Sequence, residues 1–539
     1  MGGTGRGVVE FDVSHDAGRD DDVDPAAGSP SGWRARWRAA SRRQRRLAAG
    51  IAAASVLVLA GGAAVAGFLA DRVEADRLRT APGAVRSLDG PLRDVWRADV
   101  DALAAVLPDG GLATTDGSRL VVREVADGTE RWSVELTGDP VCGPAPRPGS
   151  PLEWAVPVAT VTCVHGPADA RVVTVLDAGG AVVGQRELDP DRYGGATRAV
   201  APAADGGLLV AEHASDLPAQ LTFATPDQMF SRLSRLEVQA GPADVRLEDA
   251  LTGERRATLE VTTVPEADGL DCYDMTETVV DASGLGTSGR AVLDLGTPQG
   301  TPTMVLFDGC ATDGAATYGG VALGTQPTGA GPWPPQERRQ PYPGDRFVVP
   351  EGGRSALLAA DGTPVLDPRG WRLQVPATDG TAGDGHVAVA SDRVLALTED
   401  GAERWEAPQA DARVLVRTAD VVVAGGWNRL TGYDPADGAE RWTLEPDAGP
   451  NRFVLSAVTD GPRMAGVLLE TSTVGRAELS LFVLDLATGQ EVAPRVEVDA
   501  RHVVAVDGHL LVLEPAEDEV LTGDVAPRIA GLRLLAPAG

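Results

Sequence analysis

The four cysteines of this chain, together with its six histidines, are the residues whose types could hold a metal. No cysteine stands in a CxxC pair, and zinc sites are usually built from such pairs combined with closely spaced histidines. The sequence therefore lacks the spacing of a zinc site. The cysteines are Cys142, Cys163, Cys272 and Cys310.

Nucleophilic catalysis by a serine, a histidine and an aspartate finds no support either. No G-x-S-x-G motif is present, and five of the histidines stand in five different local settings. With 78 acidic residues, paired carboxylates arise by chance, so pairing of this kind carries no signal. We therefore assign no catalytic residue. The five histidines are His165, His213, His386, His502 and His509.

Several loops combine aspartate with glycine, and carboxylate oxygens are the ligands that Ca²⁺ prefers. These loops lack the dense alternation of oxygen ligands of a dedicated calcium site, and aspartate beside glycine more often forms a turn. We favour the turn and assign no metal ligand. The aspartates are Asp379, Asp384, Asp434 and Asp437.

One hexapeptide, Asp-Gly-Ala-Glu-Arg-Trp, occurs at 400–405 and again at 437–442. A variant, Asp-Gly-Thr-Glu-Arg-Trp, occupies 127–132, and Trp96 and Trp371 stand about one period before Trp132 and Trp405. A fixed period of about 20 to 50 residues is typical of solenoids, propellers and arrays.

Each period contains short runs rich in Val, Leu and Ala, bounded by Gly, Asp or Pro, which predict strands. The Asp-Gly pair provides the positive φ angles of a tight hairpin. We expect the tryptophan after each such turn to fill the gap to the next sheet. The clearest runs are 386–390, 393–397, 414–416, 421–424 and 430–433.

The pattern D-x-x-x-G-x-x-x-W at 434–442, echoed at 485–492, resembles the PQQ-like β-propeller repeat. The resemblance is good over 371–492 and 96–132, and weak between about 190 and 350. It implies an all-β fold: a β-propeller of about eight (alternatively seven) four-stranded blades over 85–539. The last strands of the chain would pair with the strand near residues 93–97 and close the ring.

That family includes quinoprotein dehydrogenases and non-enzymatic scaffolds such as the outer-membrane assembly lipoprotein. A dehydrogenase of the family would have adjacent cysteines, a tryptophan platform under the quinone and a calcium cluster with a catalytic aspartate. No two cysteines are adjacent here, and no motif brings those ligands together. We therefore predict a binding or scaffold protein without a cofactor, the alternative being a quinoprotein-like oxidoreductase or another propeller enzyme.

Residues 47–70 form a stretch of 24 residues without a charge, long enough for one transmembrane helix. Seven arginines precede it within 34–46 and place that side in the cytoplasm. The sequence thus predicts a disordered cytoplasmic tail (1–46), an anchor (47–70), a linker (71–84) and an extracytoplasmic propeller. A cleaved signal peptide ending near Ala64-Val65-Ala66 is the alternative for this segment.

Four cysteines allow three pairings, of which we favour Cys142–Cys163 and Cys272–Cys310, because each pair lies within roughly one blade of sequence. Disulfides agree with an oxidising, extracytoplasmic compartment. The chain carries a net charge of −30, which excludes nucleic acid as a favoured partner. The predicted partner is an unidentified protein of the cell envelope; a sensor that signals through the tail is a further alternative.

The segments that the repeat does not explain, about 190–350, are where we expect binding features. Within them, residues 326–345 are rich in proline and contain Trp333 and Tyr342. Such a stretch favours polyproline II and recognition, or else forms a long loop between blades.

Overall fold

A computed structural model describes the chain from residue 72 to residue 538, with gaps. The described residues are 72–74, 77–78, 81–144, 157–167, 169–194, 198–213, 220–223, 237–238, 243–261, 267–268, 273–281, 284–291, 293–296, 304–309, 312–317, 322–327, 340–342, 346–351, 354–366, 370–445, 451–471, 477–500, 502–515 and 529–538. The chain divides into two units, Met1–Arg72 and Val73–Gly539, and every strand belongs to the second.

Short antiparallel strands dominate the second unit from Leu92 onward. After β1 (Leu92–Asp99), sheet 1 consists of β2 (Ala102–Val106), β3 (Gly111–Asp116), β4 (Arg119–Glu124) and β5 (Glu130–Glu135). Sheet 2 consists of β6 (Val141–Gly143), β7 (Thr160–His165), β8 (Val172–Asp177) and β9 (Val182–Glu187). A one-turn helix, α1 (Pro190–Tyr193), follows it.

Sheet 3 is interrupted by two inserted strands. Its own strands are β10 (Arg198–Ala203) and β11 (Gly207–His213), and, beyond the inserted β12 (Gln220–Phe223) and β13 (Glu237–Val238), β14 (Ala243–Asp249) and β15 (Arg255–Val261). Two smaller sheets use the insertion: β16 (Ala267–Asp268) pairs with β13, and β17 (Tyr273–Asp281) and β18 (Gly284–Ala291) join β12.

Sheets 4 to 6 follow in chain order. Sheet 4 consists of β19 (Leu293–Gly296), β20 (Met304–Gly309), β21 (Thr312–Thr317) and β22 (Ala322–Pro327). Sheet 5 consists of β23 (Gln340–Tyr342), β24 (Arg346–Glu351), β25 (Arg354–Ala359) and β26 (Pro364–Leu366). Sheet 6 consists of β27 (Arg372–Gln374), β28 (His386–Ala390), β29 (Arg393–Leu397) and β30 (Glu403–Pro408).

The last sheets complete the series. Sheet 7 consists of β31 (Arg413–Arg417), β32 (Val422–Gly426), β33 (Arg429–Tyr433) and β34 (Glu440–Leu444). Sheet 8 consists of β35 (Asn451–Thr459), β36 (Arg463–Thr471), β37 (Ala477–Asp485) and β38 (Val496–Glu497). The closing sheet consists of β39 (His502–Val506), β40 (His509–Pro515), β41 (Ile529–Pro537) and β1.

The all-β fold of four-stranded antiparallel sheets confirms the predicted fold class, but it does not confirm the predicted number of blades. Among the described residues, nine sheets have four strands, whereas the sequence predicts eight or seven blades. The repeat is weakest between about 190 and 350, where sheets 3 and 4 and all of the inserted strands lie. The sequence pattern could not count sheets there.

The predicted pairing of the last strand with the strand near residues 93–97 is confirmed. Strand β1 pairs with β41 in antiparallel register, so that Arg97 lies opposite Arg533 and Trp96 opposite Leu534. The outer strand of the closing sheet therefore comes from the N-terminal side of the unit. Trp96 occupies the same place in its sheet as Trp132 does in sheet 1, which explains their spacing.

In the sheets whose burial the structure describes, the inner strands are largely buried on both faces because a neighbouring sheet covers each face. All five residues of β32 are buried, whereas β30, an outer strand, alternates between exposed and buried residues. The core consists mainly of Val, Leu and Ala. Among the described residues, the large hydrophobic clusters join consecutive sheets; one of them combines Val423 and Leu430 of sheet 7 with Leu468 and Phe482 of sheet 8.

Four tryptophans on outer strands lie across the gap to the next sheet, as predicted. Each indole N–H donates to a carbonyl in the third-to-fourth-strand turn of that sheet, and each ring lies against a glycine of the same turn with positive φ. The pairs are Trp96 with Val125 O (2.9 Å) and Gly128, Trp132 with Ala178 O (3.1 Å) and Gly180, Trp405 with Pro435 O (2.9 Å) and Gly438, and Trp442 with Leu486 O (2.8 Å) and Gly489.

Trp371 does not belong to this series, although the sequence spacing places it there. It directly precedes β27, the first strand of sheet 6, and packs with Leu366 and Leu373. Leu366, on the outer strand of sheet 5, instead lies against Gly401, the glycine of the first hexapeptide. The spacing of about one period between Trp371 and Trp405 is therefore a coincidence and does not reflect an equivalent position in the two sheets.

The predicted linker is packed against the sheets from residue 78 onward. Leu78, Ala81 and Ala84 are buried, and Val85 and Leu88 enter the hydrophobic cluster shared by sheet 8 and the closing sheet. The backbone of residues 82–86 forms hydrogen bonds with three sheets, in each case where the first strand leads into the second. Thr378 N donates to Pro82 O (2.6 Å), Val85 N to Thr459 O (2.9 Å) and Arg86 N to Gly508 O (2.8 Å). The domain boundary at 84 remains a prediction.

Because strands alternate in direction, the connections that contact residues 78–88 lie at the same end of the sheets as the Asp-Gly turns. The turns between second and third strands lie at the opposite end. Within the described residues, no helix is both long enough and apolar enough to cross a bilayer. The predicted transmembrane segment, 47–70, lies outside them.

Candidate binding groove

An exposed aromatic pair marks the end of the sheets opposite residues 78–88. Trp427 lies in the two-residue turn between β32 and β33, and its side chain is 58% exposed. Its ring lies 5.5 Å from that of Phe453, the third residue of β35 in sheet 8. Exposed tryptophans are uncommon in a surface without partners, and aromatic pairs of this kind are enriched at protein interfaces.

The turn that presents Trp427 is held in place by the neighbouring sheet. Asn428 has a φ of 55°, a conformation that asparagine tolerates better than most residues. Its backbone N–H donates to Arg452 O (3.0 Å), and its side-chain oxygen accepts from Arg452 N (2.6 Å). The position of Trp427 is therefore set by the hydrogen bonds of Asn428 to the backbone of Arg452 in sheet 8.

A cavity of about 150 Å³ opens beside this pair, between the outer parts of sheets 7 and 8. Its walls are Leu430, Val454, Leu468 and Phe482, and Leu444, which is 37% exposed, stands at its mouth. We refer to this cavity, with Trp427 and Phe453, as the groove.

Arginines and glutamates alternate around the mouth of the groove and pair with each other. Arg429 contacts Glu440 (3.2 Å) and Glu445 (3.5 Å), and hydrogen bonding to Glu491 raises the pKa of Arg495. Arg452 and Arg495 share Glu470, at 2.5 and 3.3 Å. The rim is therefore almost neutral on a chain that carries a net charge of −30.

A buried ionic cluster lies in sheet 3, away from the groove. Glu248 accepts from Arg192 (2.6 Å) and Arg246 (2.7 Å) at one oxygen and from the Tyr193 hydroxyl (2.6 Å) at the other. Burial alone would raise the pKa of Glu248, but these three hydrogen bonds outweigh it and the pKa lies below its ordinary value. Both oxygens are occupied, so the carboxylate holds α1 against sheet 3 rather than facing a ligand.

Tyr342 belongs to the proline-rich segment 326–345, and the structure places it in contact with a buried histidine. Its hydroxyl lies 2.8 Å from Nδ1 of His386, whose Nε2 lies 3.3 Å from the carbonyl of Glu399. A carbonyl only accepts, so Nε2 carries the proton and Nδ1 accepts from Tyr342. Burial lowers the pKa of His386. Residues 328–339, with Trp333, lie outside the described part of the chain.

The aspartates considered for calcium lie in two separate connections. Asp379 accepts from Thr381 N (3.0 Å), Asp434 from Ala436 N (2.8 Å) and Asp437 from Ala439 N (2.9 Å), which is the turn role that we favour. The histidines considered for catalysis are distributed over sheets 2, 3 and 6 and the closing sheet. In the part of the chain that the structure covers, no three His, Cys, Asp or Glu side chains are grouped as metal ligands.

The disulfide Cys142–Cys163 is confirmed and joins directly opposed residues of β6 and β7. The predicted pair Cys272–Cys310 lies outside the described residues. So does part of 190–350, where the sequence suggested that binding features would be found. The groove lies instead in 426–495, within the regular part of the repeat.

A signal for the groove was present in the sequence. Trp427 stands in a Gly-Gly-Trp-Asn turn, and not four residues after the glycine of an Asp-Gly turn. A tryptophan in the turn between the second and third strands cannot fill the gap to the next sheet as the repeat tryptophans do, and Trp427 is exposed. This departure could have identified Trp427.

Comparison with known proteins agrees with the repeat. Residues 326–524 match a family model described as "Outer membrane protein assembly factor BamB". No curated protein matches the chain in sequence.

Among solved structures, the chain is similar to BamB from Moraxella catarrhalis, with 12% identity, a TM-score of 0.35, and coverage of 82% of this chain and 99% of that one. It is also similar to a europium-containing methanol dehydrogenase, with 12% identity, a TM-score of 0.32, and coverage of 83% and 93%. Likenesses at this level carry no functional conclusion. The family match confirms the predicted resemblance: over residues 326–524, this chain is similar to the PQQ-like β-propeller repeat family.

Proposed function

We propose that this chain is a membrane-anchored, extracytoplasmic β-propeller that binds a protein of the cell envelope and acts as a non-enzymatic scaffold. The observation that carries the proposal is the exposed Trp427–Phe453 pair beside an apolar cavity. Burying the exposed part of one tryptophan would contribute about 3 kcal/mol to association. The matched family model is named for an assembly factor, which supports a role in binding proteins.

The stretch 47–70, with 24 residues and no charge, supports the anchored arrangement. Within the second unit, residues 78–88 contact the end of the sheets opposite Trp427. The disulfide Cys142–Cys163 supports an oxidising compartment.

The proposal is tested with the full chain in its own cells. Chemical crosslinking and affinity purification are compared for the wild type, Trp427→Ala and Val183→Ala, whose side chain is 57% exposed on the outer strand of sheet 2. Central interface tryptophans contribute about 2 kcal/mol or more, which corresponds to about 30-fold in affinity. We expect the same envelope protein with the wild type and Val183→Ala, and a large loss with Trp427→Ala. Equal recovery with all three would contradict the proposal.

A further inference from the structure

The cavity of the groove has the size of a single side chain. Apolar cavities of about 150 Å³ lined by Leu, Ile and Phe accommodate one benzene molecule. Pockets for cofactors and drug-sized ligands measure about 300 to 1,000 Å³. At about 150 Å³, this cavity is too small for such a ligand and large enough for one phenyl ring.

The surroundings of the cavity suit an aromatic ring. Leu468 and Phe482 are 7% and 3% exposed and form an apolar wall, while the mouth lies between Leu444 and the guanidinium groups of Arg429 and Arg495. Guanidinium groups at a cavity mouth are attracted to the face of an aromatic ring and have no such attraction to an aliphatic side chain.

Charge restricts what can flank the ring. The rim arginines are paired with glutamates, so an acidic segment would find little free positive charge and would meet a chain of net charge −30. A neutral or basic segment meets neither obstacle.

We infer that the groove binds a segment of the partner protein that is neutral or basic and inserts one aromatic side chain into the cavity between sheets 7 and 8, with its neighbouring residues against Trp427 and Phe453. This rests on the proposed function and specifies the partner. The juxtaposition that carries it is the phenyl-sized cavity, with Leu444 at its mouth, next to an exposed Trp427.

A library of random peptides displayed on phage is selected against the full chain in detergent micelles. We expect the selected peptides to share one Phe, Tyr or Trp and to lack clustered acidic residues. Their affinities are then measured for the wild type and for Leu444→Trp, in which the new indole occupies the mouth of the cavity. Because Leu444 is 37% exposed, this variant retains the core.

The matched control is Val365→Trp, which adds the same side chain at a 40% exposed position on the outer strand of sheet 5. We expect Leu444→Trp to weaken peptide binding at least 30-fold and Val365→Trp to change it less than twofold, with both variants as stable as the wild type. Selected peptides without a shared aromatic residue, or equal binding to Leu444→Trp, would overturn the inference.

Two variants, Trp427→Ala and Leu444→Trp, separate this inference from the proposed function. If the envelope partner depends on Trp427 in cells but binds Leu444→Trp normally, the cavity assignment is wrong while the binding function stands. If no envelope protein depends on Trp427, the proposed function itself fails.

Discussion

The indole of Trp442 lies directly on the backbone of Gly489: a Cβ placed on this glycine would come within 2.6 Å of the ring. The indole N–H of Trp442 also donates a hydrogen bond to Leu486 O in the same turn (2.8 Å). One side chain thus joins sheets 7 and 8 by packing and by a hydrogen bond, and the glycine is required both for its φ of 70° and for this contact.

Replacing Gly489 by alanine should therefore cost more than its backbone conformation alone explains. The matched control is Gly117→Ala, where φ is 57° and no atom lies within 4 Å of the new Cβ. We expect Gly117→Ala to lower the free energy of unfolding by about 1 kcal/mol, from left-handed strain alone. Gly489→Ala should add about 1–3 kcal/mol from overpacking. Equal losses in urea unfolding would show that the tryptophan contact contributes nothing.

The repeat was predictable because its determinants are local. An Asp-Gly turn requires positive φ, and a tryptophan four residues after the glycine falls on the outer strand. One short pattern therefore predicts the turn, the strand and the side chain that fills the gap to the next sheet. Likewise, Cys142 and Cys163 lie on adjacent strands of one sheet. Their short separation in sequence was therefore enough to predict the disulfide.

The groove was not predictable in the same way. It exists because Leu430 and Leu444 of one sheet face Leu468 and Phe482 of the next, and the sequence does not show how far apart two packed sheets stand. Trp371 illustrates the opposite error: its spacing matched the period, but it precedes an inner strand, a difference that spacing alone does not reveal.

Loss of the disulfide should destabilise the chain measurably. It closes a separation of 21 residues, and removing a bridge of this size typically costs about 2–4 kcal/mol, largely by freeing the unfolded chain. Urea unfolding under non-reducing conditions compares the wild type with Cys142→Ala/Cys163→Ala. A double variant as stable as the wild type would mean that the pairing of β6 and β7 needs no covalent support.

Stability should fall with acidification, in part through His386. Burial lowers its pKa in the folded chain, so the unfolded chain, with a histidine pKa of about 6.5, binds the proton more readily. The contribution of the neutral ring is complete above that pH and is lost as the pH falls. The free energy of unfolding should decrease from pH 7.5 to pH 5.5.

The histidine is tested by His386→Gln, which removes the titrating group. We expect a smaller pH dependence in this variant, with a residual slope from His165, whose pKa burial also lowers. An unchanged slope between pH 7.5 and pH 5.5 would exclude His386 as a source of the acid sensitivity.

The proposed topology makes a separate prediction in intact cells. A cysteine at Val183→Cys, exposed on β9, should react with a membrane-impermeant maleimide without lysis. A cysteine at Ser31→Cys, in the predicted cytoplasmic tail, should react only after lysis. The reverse pattern, or labelling of both in intact cells, would contradict an extracytoplasmic propeller anchored through 47–70.

Direct contact at the groove tests the central claim. A photo-crosslinking amino acid, p-benzoylphenylalanine, is placed at residue 427 in the full chain, and in a control at residue 183, and the cells are irradiated. The account predicts one discrete adduct with an envelope protein from position 427 and none of that mass from position 183. No adduct at 427, or the same adducts at both positions, would contradict a partner that binds this groove.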